Sequence, residues 1–260
     1  MAASDQSEDV QAMAKVSVRE LTMAFGSYVV MRDLNFDIFE RDIFVIMGGS
    51  GCGKSTLLRH LIGLKEPASG RVLYDGEDFT SAEPDQREHF IRRFGVMYQS
   101  GALWTSLTLA ENIALPIEQH TELPAKDVRE LAVYKLALVG LSGYEDYYPA
   151  QVSGGMNKRA GIARAMALDP DILFLDEPSA GLDPLSSRRL DELILQLRDT
   201  LGSTVVVVTH ELASIFAIAN NSIFLNTVTR TQSATGDPKW LRDHSDNSMV
   251  REFLNRGDIP

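Results

Sequence analysis

The chain has 260 residues, 44% of them hydrophobic, and a formal net charge of −11 at neutral pH. This length and apolar content suffice for one large folded domain or two small ones. The negative charge argues against a nucleic-acid partner, because phosphates would repel the protein unless a local basic patch were present, and we find no dense run of Lys and Arg.

The chain also lacks the sequence features of secreted and membrane-spanning proteins. Cys52 is the single cysteine, so no internal disulfide can form, as expected in a reducing compartment. No apolar run approaches the ~18–20 residues that a transmembrane helix needs. The polar, acidic residues 1–14 do not resemble a signal peptide, and we interpret them as a disordered tail. We therefore expect a cytoplasmic protein that acts on membranes only through partners.

Alternating apolar and polar residues predict two strands at the start of the folded part, one from about residue 16 and one through residues 34–38. Phe25 lies between them, shortly upstream of a glycine-rich segment, where an aromatic ring can stack on a purine base. We expect Phe25 to bind the base and consider Tyr28 the second candidate. The alternative is that Phe25 is an ordinary core residue.

The glycine-rich segment fits the phosphate-binding pattern G-x-x-x-x-G-K-[ST], and it follows an apolar strand and precedes a helix predicted at 55–64, as that motif requires. Its glycines let backbone N–H groups surround an anion, and the helix N-terminus adds positive charge. Lys54 is expected to hold the β- and γ-phosphates and Ser55 to bind Mg²⁺. The segment consists of Gly48, Gly49, Ser50, Gly51, Cys52, Gly53, Lys54, Ser55 and Thr56.

Three further apolar segments predict strands that end in polar side chains: Gln99, the pair Asp176 and Glu177, and His210. The carboxyl ends of parallel strands form the edge where open α/β sheets bind ligands. Because neighbouring side chains on a strand point oppositely, the two acids should have separate roles. Asp176 suits the Mg²⁺ shell, and Glu177 suits a general base. The alternative is an acidic strand end that caps the next helix.

Between these strands, residues 100–168 have helical patterning, including a capping box at 108–111 and an apolar face at 127–139. Ser153-Gly154-Gly155-Met156 precedes a helix of small residues, so its helix N-terminus is a second potential anion site. In other proteins such a sequence is more often only an N-cap. Asp183 caps a further helix, which Gly202 ends.

The order and spacing of these motifs resemble ABC ATPases, the nucleotide-binding subunits of ABC transporters, from about Val16 to Leu225. The resemblance implies an α/β fold with a P-loop NTPase (RecA-like) core sheet and an N-terminal antiparallel β subdomain. The ABC domain would span residues 15–260. It would include a helical subdomain inserted at about 100–168 and a C-terminal extension at about 226–260.

The same resemblance implies the roles of the motif residues, with ATP and Mg²⁺ as cofactors. Two chains would pair head to tail, so that the Ser-Gly-Gly segment of one contacts the γ-phosphate held by Lys54 of the other. Glu177 would polarise the attacking water and His210 would hold the γ-phosphate, while Ser55, Gln99 and Asp176 would surround Mg²⁺. The expected ATP-binding residues are Phe25, residues 48–56, Gln99, Ser153, Gly154, Gly155, Met156 and Asp183.

A narrower resemblance comes from Gln99–Trp104 together with residues 111–116 and 121–124. It is to the ATPases of MCE-type (Mla-like) phospholipid transporters, which maintain outer-membrane lipid asymmetry. It implies a permease contacted through Gln99–Trp104, an MCE-domain protein, a small STAS-type subunit, and a location on the cytoplasmic side of the bacterial inner membrane. The main alternative is an ABC importer for amino acids or another small solute.

Two other classes fit the sequence less well. Non-transport ABC ATPases that act on DNA or ribosomes usually carry coiled coils, zinc modules or two cassettes, and none of these occurs here. Guanine-binding GTPases carry Asn-Lys-x-Asp, whereas Asn157-Lys158 is followed by Arg159-Ala160.

Overall fold

The computed structural model describes residues 13–99 and 101–256, so Ser100 and most of the predicted tail lie outside the described residues. The strands are β1 (Ala14–Phe25), β2 (Tyr28–Phe39), β3 (Ile43–Gly48), β4 (Ser69–Tyr74), β5 (Glu77–Asp78), β6 (Phe94–Met97), β7 (Ile172–Asp176), β8 (Thr204–Val208), β9 (Asn221–Asn226) and β10 (Thr231–Thr235). The helices are α1 (Lys54–Leu61), α2 (Pro84–Ile91), α3 (Leu109–His120), α4 (Ala125–Leu138), α5 (Gly154–Ala165), α6 (Pro184–Leu201), α7 (Leu212–Ile218), α8 (Pro238–His244) and α9 (Ser248–Asn255).

The strands form two sheets. The first is antiparallel, in the order β2-β1-β4-β5, and the second has the order β10-β9-β3-β8-β7-β6. In the second sheet β9, β3, β8, β7 and β6 run parallel, and only β10 is antiparallel to its neighbour. A parallel sheet beside an antiparallel one is the predicted fold class, with α3, α4 and α5 inserted between β6 and β7.

The parallel sheet is covered on both faces, which is why its strands are almost entirely apolar. On β3, Ile43, Val45 and Met47 enter the core shared with α3–α6, whereas Phe44 and Ile46 enter the core shared with α1 and the antiparallel sheet. Alternate side chains of one strand thus fill two cores. A shift of one residue in register would exchange these two sets, so the register is strongly specified.

Local signals fix the helix ends. Thr108 and Glu111 form the predicted capping box of α3. Asp183 caps α6 by accepting hydrogen bonds from the amides of Leu185 and Ser186, and Gly202 ends that helix with a φ of 68°. No helix in the described ranges is both long and apolar enough to cross a bilayer.

Several predicted boundaries need correction. The first strand already includes Ala14, the last residue of the predicted tail. Helix α1 ends at Leu61 rather than near residue 64, because Gly63 adopts a φ of 74° there. Strand β6 ends at Met97, so Tyr98 belongs to the following turn. The sequence analysis did not identify β10, α7 or α8.

Helix α6 packs on α7 through a buried carboxyl group. Asp191 is 6% exposed and accepts a hydrogen bond of 3.0 Å from Ser214 Oγ. Burial raises the pKa of Asp191 to about 6, and the nearby charges of Glu211 and Glu192 act in the same direction. The folded state therefore favours the neutral acid.

This raised pKa predicts a pH-dependent effect of Asp191→Asn. The stabilising contribution of Asp191 is present at low pH and is lost as the pH rises through the folded-state pKa. As the pH rises from about 4 to about 7, the melting temperature of the parent should therefore fall relative to that of the Asp191→Asn variant. Thermal melts of both proteins across this range measure the difference; parallel curves would contradict it.

Candidate functional site

The carboxyl ends of β3, β8, β7 and β6 meet at one edge of the parallel sheet, beside a cavity of about 570 Å³. The cavity is lined by most of the predicted nucleotide-binding residues. These are Phe25, residues 50–56, Gln99, Glu177 and His210. One edge of the sheet therefore brings together side chains from four separate parts of the sequence, as expected for a ligand site of an open α/β sheet.

The glycine-rich loop between β3 and α1 requires glycine at its two ends. A Cβ atom on Gly48 would lie 2.6 Å from the carbonyl oxygen of Leu225, and one on Gly53 would lie 2.8 Å from Val30 Cγ1. Gly53 also has a φ of 96° and directly precedes α1. The first-turn amides of α1 have no intrahelical acceptors and face a bound anion in such a loop.

Lys54 lies inside this loop. Its side chain is 8% exposed, and Nζ donates to the carbonyl oxygens of Gly48 and Gly49 at 3.0 and 3.1 Å. An ammonium group held by two carbonyls in a lined cavity can transfer those hydrogen bonds to phosphate oxygens, which carry more negative charge. Cys52 is buried beneath the loop, where burial raises the pKa of its thiol. A thiol in that environment fills space and is a poor nucleophile.

Ser55 and Asp176 form a pair of oxygen groups next to the loop. Ser55 Oγ donates to Asp176 Oδ1 at 3.0 Å. Burial raises the pKa of Asp176, and the charge of Glu177 adds to this, whereas the hydrogen bond from Ser55 opposes it. Hydroxyl and carboxylate oxygens are the ligand types that Mg²⁺ prefers. In the part of the chain that the structure describes, no three His, Cys, Asp or Glu side chains cluster as a metal site. Phosphate oxygens and water would have to complete the shell.

Glu177 contacts a different partner. Its backbone adopts a φ of 49°, and its carboxylate Oε1 lies 2.8 Å from His210 Nδ1. Oε2 is buried without a hydrogen-bond partner among the described residues. The two neighbouring acids thus contact different groups. Strand alternation is not the reason, because β7 ends at Asp176 and Glu177 follows it with a positive φ. The helix-capping alternative does not describe them, because Asp183 caps α6.

The aromatic candidates lie on the opposite wall of the cavity. Phe25 is 53% exposed, so the alternative that it is a core residue is wrong. Lys65 Nζ lies 2.9 Å from the centroid of its ring. Tyr28 is 58% exposed, and the Arg230 guanidinium carbon lies 5.0 Å from its ring centroid. Arg230 and Thr227 line the cavity although they follow β9, and no sequence pattern indicated them.

The remaining predicted residues lie away from this cavity. Ser153 Oγ accepts from the Met156 amide at 3.2 Å and caps α5, with Ser153 and Gly154 exposed to solvent. Gly155 and Met156 continue into that helix, and Asp183 is the cap of α6. Within one chain, therefore, the Ser-Gly-Gly segment does not line the cavity that contains Lys54.

Sequence reasoning missed one buried cation beside the site. Lys158 on α5 is 8% exposed, and its Nζ donates at 3.0 Å to the carbonyl oxygens of both Gln99 and Glu177. Burial lowers the pKa of its ammonium group, and the nearby negative charges of Glu211 and Glu177 partly offset this decrease. A lysine near the start of a helix usually lies in solvent, so neither its residue type nor its position indicated these contacts.

Comparison with known proteins supports the same interpretation. The family model described as ABC transporter matches residues 31–180. The probable ribonucleotide transport ATP-binding protein mkl of Mycobacterium leprae is 38% identical, covering 92% of this chain and 68% of its own. The intermembrane phospholipid transport system ATP-binding protein MlaF of Haemophilus influenzae is 36% identical, covering 94% of this chain and 92% of its own.

A solved structure agrees with the sequence relatives. The dimeric post-hydrolysis state of the ATP-binding cassette MJ0796, bound to ADP and Pi, has a TM-score of 0.76 and 28% identity. The alignment covers 85% of this chain and 98% of the chain in that structure. Since the family match extends over more than half of the sequence and the relatives align along nearly all of it, this chain belongs to the ABC transporter family.

Proposed function

We propose that this chain is the ATP-hydrolysing subunit of an inner-membrane ABC transporter that moves phospholipids between the inner and outer membranes. As an ABC ATPase, it binds and hydrolyses ATP. The observation that carries the catalytic part is the buried Glu177 carboxylate. One of its oxygens lies on His210, and the other has no hydrogen-bond partner in the described part of the chain. The phospholipid part is supported by the MlaF relative, of which the alignment covers 92%.

The residues around the cavity divide the reaction between them. The loop amides and Lys54 hold the β- and γ-phosphates, and they offset negative charge as it develops on the transferred group. Glu177 Oε2 accepts a hydrogen bond from the attacking water and receives its proton. His210 orients the Glu177 carboxylate through Oε1, so that Oε2 faces the water. Phe25 stacks on the adenine.

Ser55 and Asp176 fit a magnesium ion bound together with ATP, and the Gln99 side chain lines the same cavity. When bound, Mg²⁺ would neutralise charge on the β- and γ-phosphates. The raised pKa of Asp176 means that its carboxylate becomes protonated at a higher pH than an ordinary aspartate would.

We also propose that two copies pair head to tail around ATP. The solvent-exposed Ser153 and Gly154 at the start of α5 lie outside the cavity of their own chain, and a helix N-terminus is suited to a γ-phosphate. A second copy would place this segment over the phosphates held by Lys54. The dimeric state reported for MJ0796 supports this arrangement.

The partner permease is proposed to contact the segment Gln99–Trp104, of which Ser100 lies outside the described residues. Trp104 is 60% exposed, so most of its side chain does not pack within the helical insertion. Its backbone is nevertheless fixed, because Asn112, fully buried, accepts from the Trp104 amide at 2.7 Å and donates to its carbonyl at 3.0 Å. An exposed aromatic side chain on a fixed backbone suits an anchor in a partner's groove.

The remaining partners follow from the proposed transport system: an MCE-domain protein, a small STAS-type subunit, and attachment to the cytoplasmic side of the inner membrane through the permease. The competing function is transport of a small solute, either an amino acid or, given the mkl relative, a ribonucleotide. The alignment covers 68% of mkl against 92% of MlaF, which favours the phospholipid system.

Substitution of the reacting groups tests the catalytic assignment. Lys54→Ala should abolish tight ATP binding, because it removes the cation from the phosphate loop. Glu177→Gln should retain ATP binding but slow hydrolysis by ~100-fold or more, the scale of a lost general base. Nucleotide binding and steady-state phosphate release measure the two effects. Hydrolysis by the Glu177→Gln variant at the parent rate would exclude Glu177 as the base.

The proposed pairing predicts that the molecular mass of the protein in solution depends on the nucleotide it binds. The isolated Glu177→Gln variant should be dimeric by light scattering with Mg·ATP and monomeric with ADP, since slow hydrolysis preserves the ATP state. Adding Ser153→Ala should weaken the ATP-dependent dimer without changing ATP affinity in the monomer. A chain that stays monomeric with Mg·ATP at full activity would contradict the pairing.

The permease contact predicts a local effect of Trp104→Ala. Loss of an aromatic anchor can cost ~2 kcal/mol or more of binding, so copurification with the permease should weaken while ATP affinity is unchanged. Trp240→Ala is the matched control, because Trp240 is 56% exposed but lies on α8. Equal losses in both variants would contradict a specific contact at Trp104.

The substrate is tested on the native complex purified from membranes. Phospholipid should copurify with it, and phospholipid should stimulate its ATPase activity in reconstituted vesicles. A complex without bound phospholipid, whose ATPase responds instead to a ribonucleotide or an amino acid, would replace the phospholipid proposal with a small-solute transporter.

A further inference from the structure

Three residues on one face of helix α5 contact the loop after β6. Arg164 donates to the carbonyl oxygens of Ala102 and Gly101 at 2.7 and 3.1 Å, and Lys158 donates to that of Gln99. Gly161 allows the closest approach, since a Cβ atom there would lie 3.1 Å from Gly101 Cα. The helix that follows Ser153 is therefore held directly against the loop that carries Gln99.

The clamped loop has an unusual backbone. Gly101 and Ala102 adopt consecutive positive φ values of 73° and 48°. For a non-glycine residue such as Ala102 this conformation is unfavourable, and it persists only where surrounding contacts hold it. The guanidinium group of Arg164 binds the carbonyls of both residues, so α5 supplies those contacts.

Lys158 extends the same set of contacts to the backbone of Glu177. Its Nζ donates to the Glu177 carbonyl at 3.0 Å, and Glu177 is itself held at a φ of 49°. No ion pair among the described residues includes Lys158, so its buried ammonium is satisfied by main-chain carbonyls. Burying a cation without a paired carboxylate is costly, and an apolar residue would be expected here if only packing were required.

We propose that Lys158 is a positioning residue that couples the two ATP sites of the paired chains. In the proposed dimer, the start of α5 contacts the ATP held by the partner, whereas Glu177 hydrolyses the ATP held by its own chain. Lys158 connects these two groups within one chain, together with Gln99. Contact of the Ser-Gly-Gly segment with one γ-phosphate thereby sets the position of the base at the other site. This inference rests on the proposed pairing.

The test uses the purified full chain and four variants. Lys158→Met removes the ammonium group but keeps the length of the side chain, and Lys158→Arg keeps a cation. Arg159→Met is the matched control, because it removes one positive charge from the same helix. The guanidinium group of Arg159 instead binds the carbonyls of Val139 and Gly140 within the helical insertion. The fourth variant combines Lys158→Met with Glu177→Gln.

Lys158→Met should lower kcat by about 10-fold or more, since small displacements of a catalytic group can cost up to ~100-fold. The cooperative dependence of the rate on ATP concentration should be lost, while ATP affinity and melting temperature stay close to those of Arg159→Met. Lys158→Arg should recover most of the rate. In the Glu177→Gln background, Lys158→Met should have little further effect, because both changes act on one group.

Each result has a defined meaning. Suppose that ATP hydrolysis is equally cooperative in the parent and in Lys158→Met, and that kcat is unchanged. This result would overturn the coupling through Lys158 but not the proposed pairing of chains. A full additional loss in the double variant would also overturn it, because Lys158 would then not act through Glu177. A parent chain that hydrolyses ATP without cooperativity and without dimer formation would overturn the proposed pairing, and the coupling with it.

Discussion

The parallel register of β3, β8, β7 and β6 decides where the reacting groups of this protein lie. Ile46 and Asp176 both pair with Val208, so the end of β3, which leads into the glycine-rich loop, and Asp176 lie at the same height on either side of β8. That register is fixed far from the site, by side chains that fill two cores on opposite faces of the sheet. A packing constraint thus determines a chemical geometry.

The edge of the sheet concentrates charge that the interior would otherwise exclude. Lys54, Lys158, Asp176 and Glu177 are each at most 9% exposed. Hydrogen bonds to backbone carbonyls, to Ser55 and to His210 keep these groups in place. The chain as a whole carries −11 and would repel an anionic ligand. Mobile ions screen that long-range charge, whereas the loop amides and Lys54 act at contact distance. The local arrangement therefore decides that a triphosphate binds.

Much of this arrangement was predictable because its signals are local. The phosphate loop, the polar strand ends and the caps at Thr108 and Asp183 each depend on a few consecutive residues. Strand β10 was missed because it has no alternation of buried and exposed residues: all five residues are at least partly exposed. The turn before it also lacks glycine. Asn226 makes that turn by accepting from the amides of Val228 and Thr229.

The contacts that sequence could not reveal join residues distant in the chain. Arg230 reaches Tyr28 across about two hundred residues, and it does so because its backbone carbonyl accepts from the Arg32 amide and pins the β9–β10 turn to β2. Lys158 likewise contacts two loops that only the folded sheet brings together. In both cases residue type and spacing describe an ordinary exposed cation, and tertiary structure alone places it beside the cavity.

The division of the anion-binding groups also explains why pairing should depend on nucleotide. The half that contains Lys54 is buried and preorganised, whereas the half that contains Ser153 is exposed at a helix N-terminus. Two chains that each carry −11 repel one another, so their approach requires an attraction that is local and strong. In the proposed pair, the γ-phosphate would supply it, because one anion can accept hydrogen bonds from both halves at once. Hydrolysis would then eliminate the shared contact and leave the repulsion, so the chemical step would be converted into separation of the two chains.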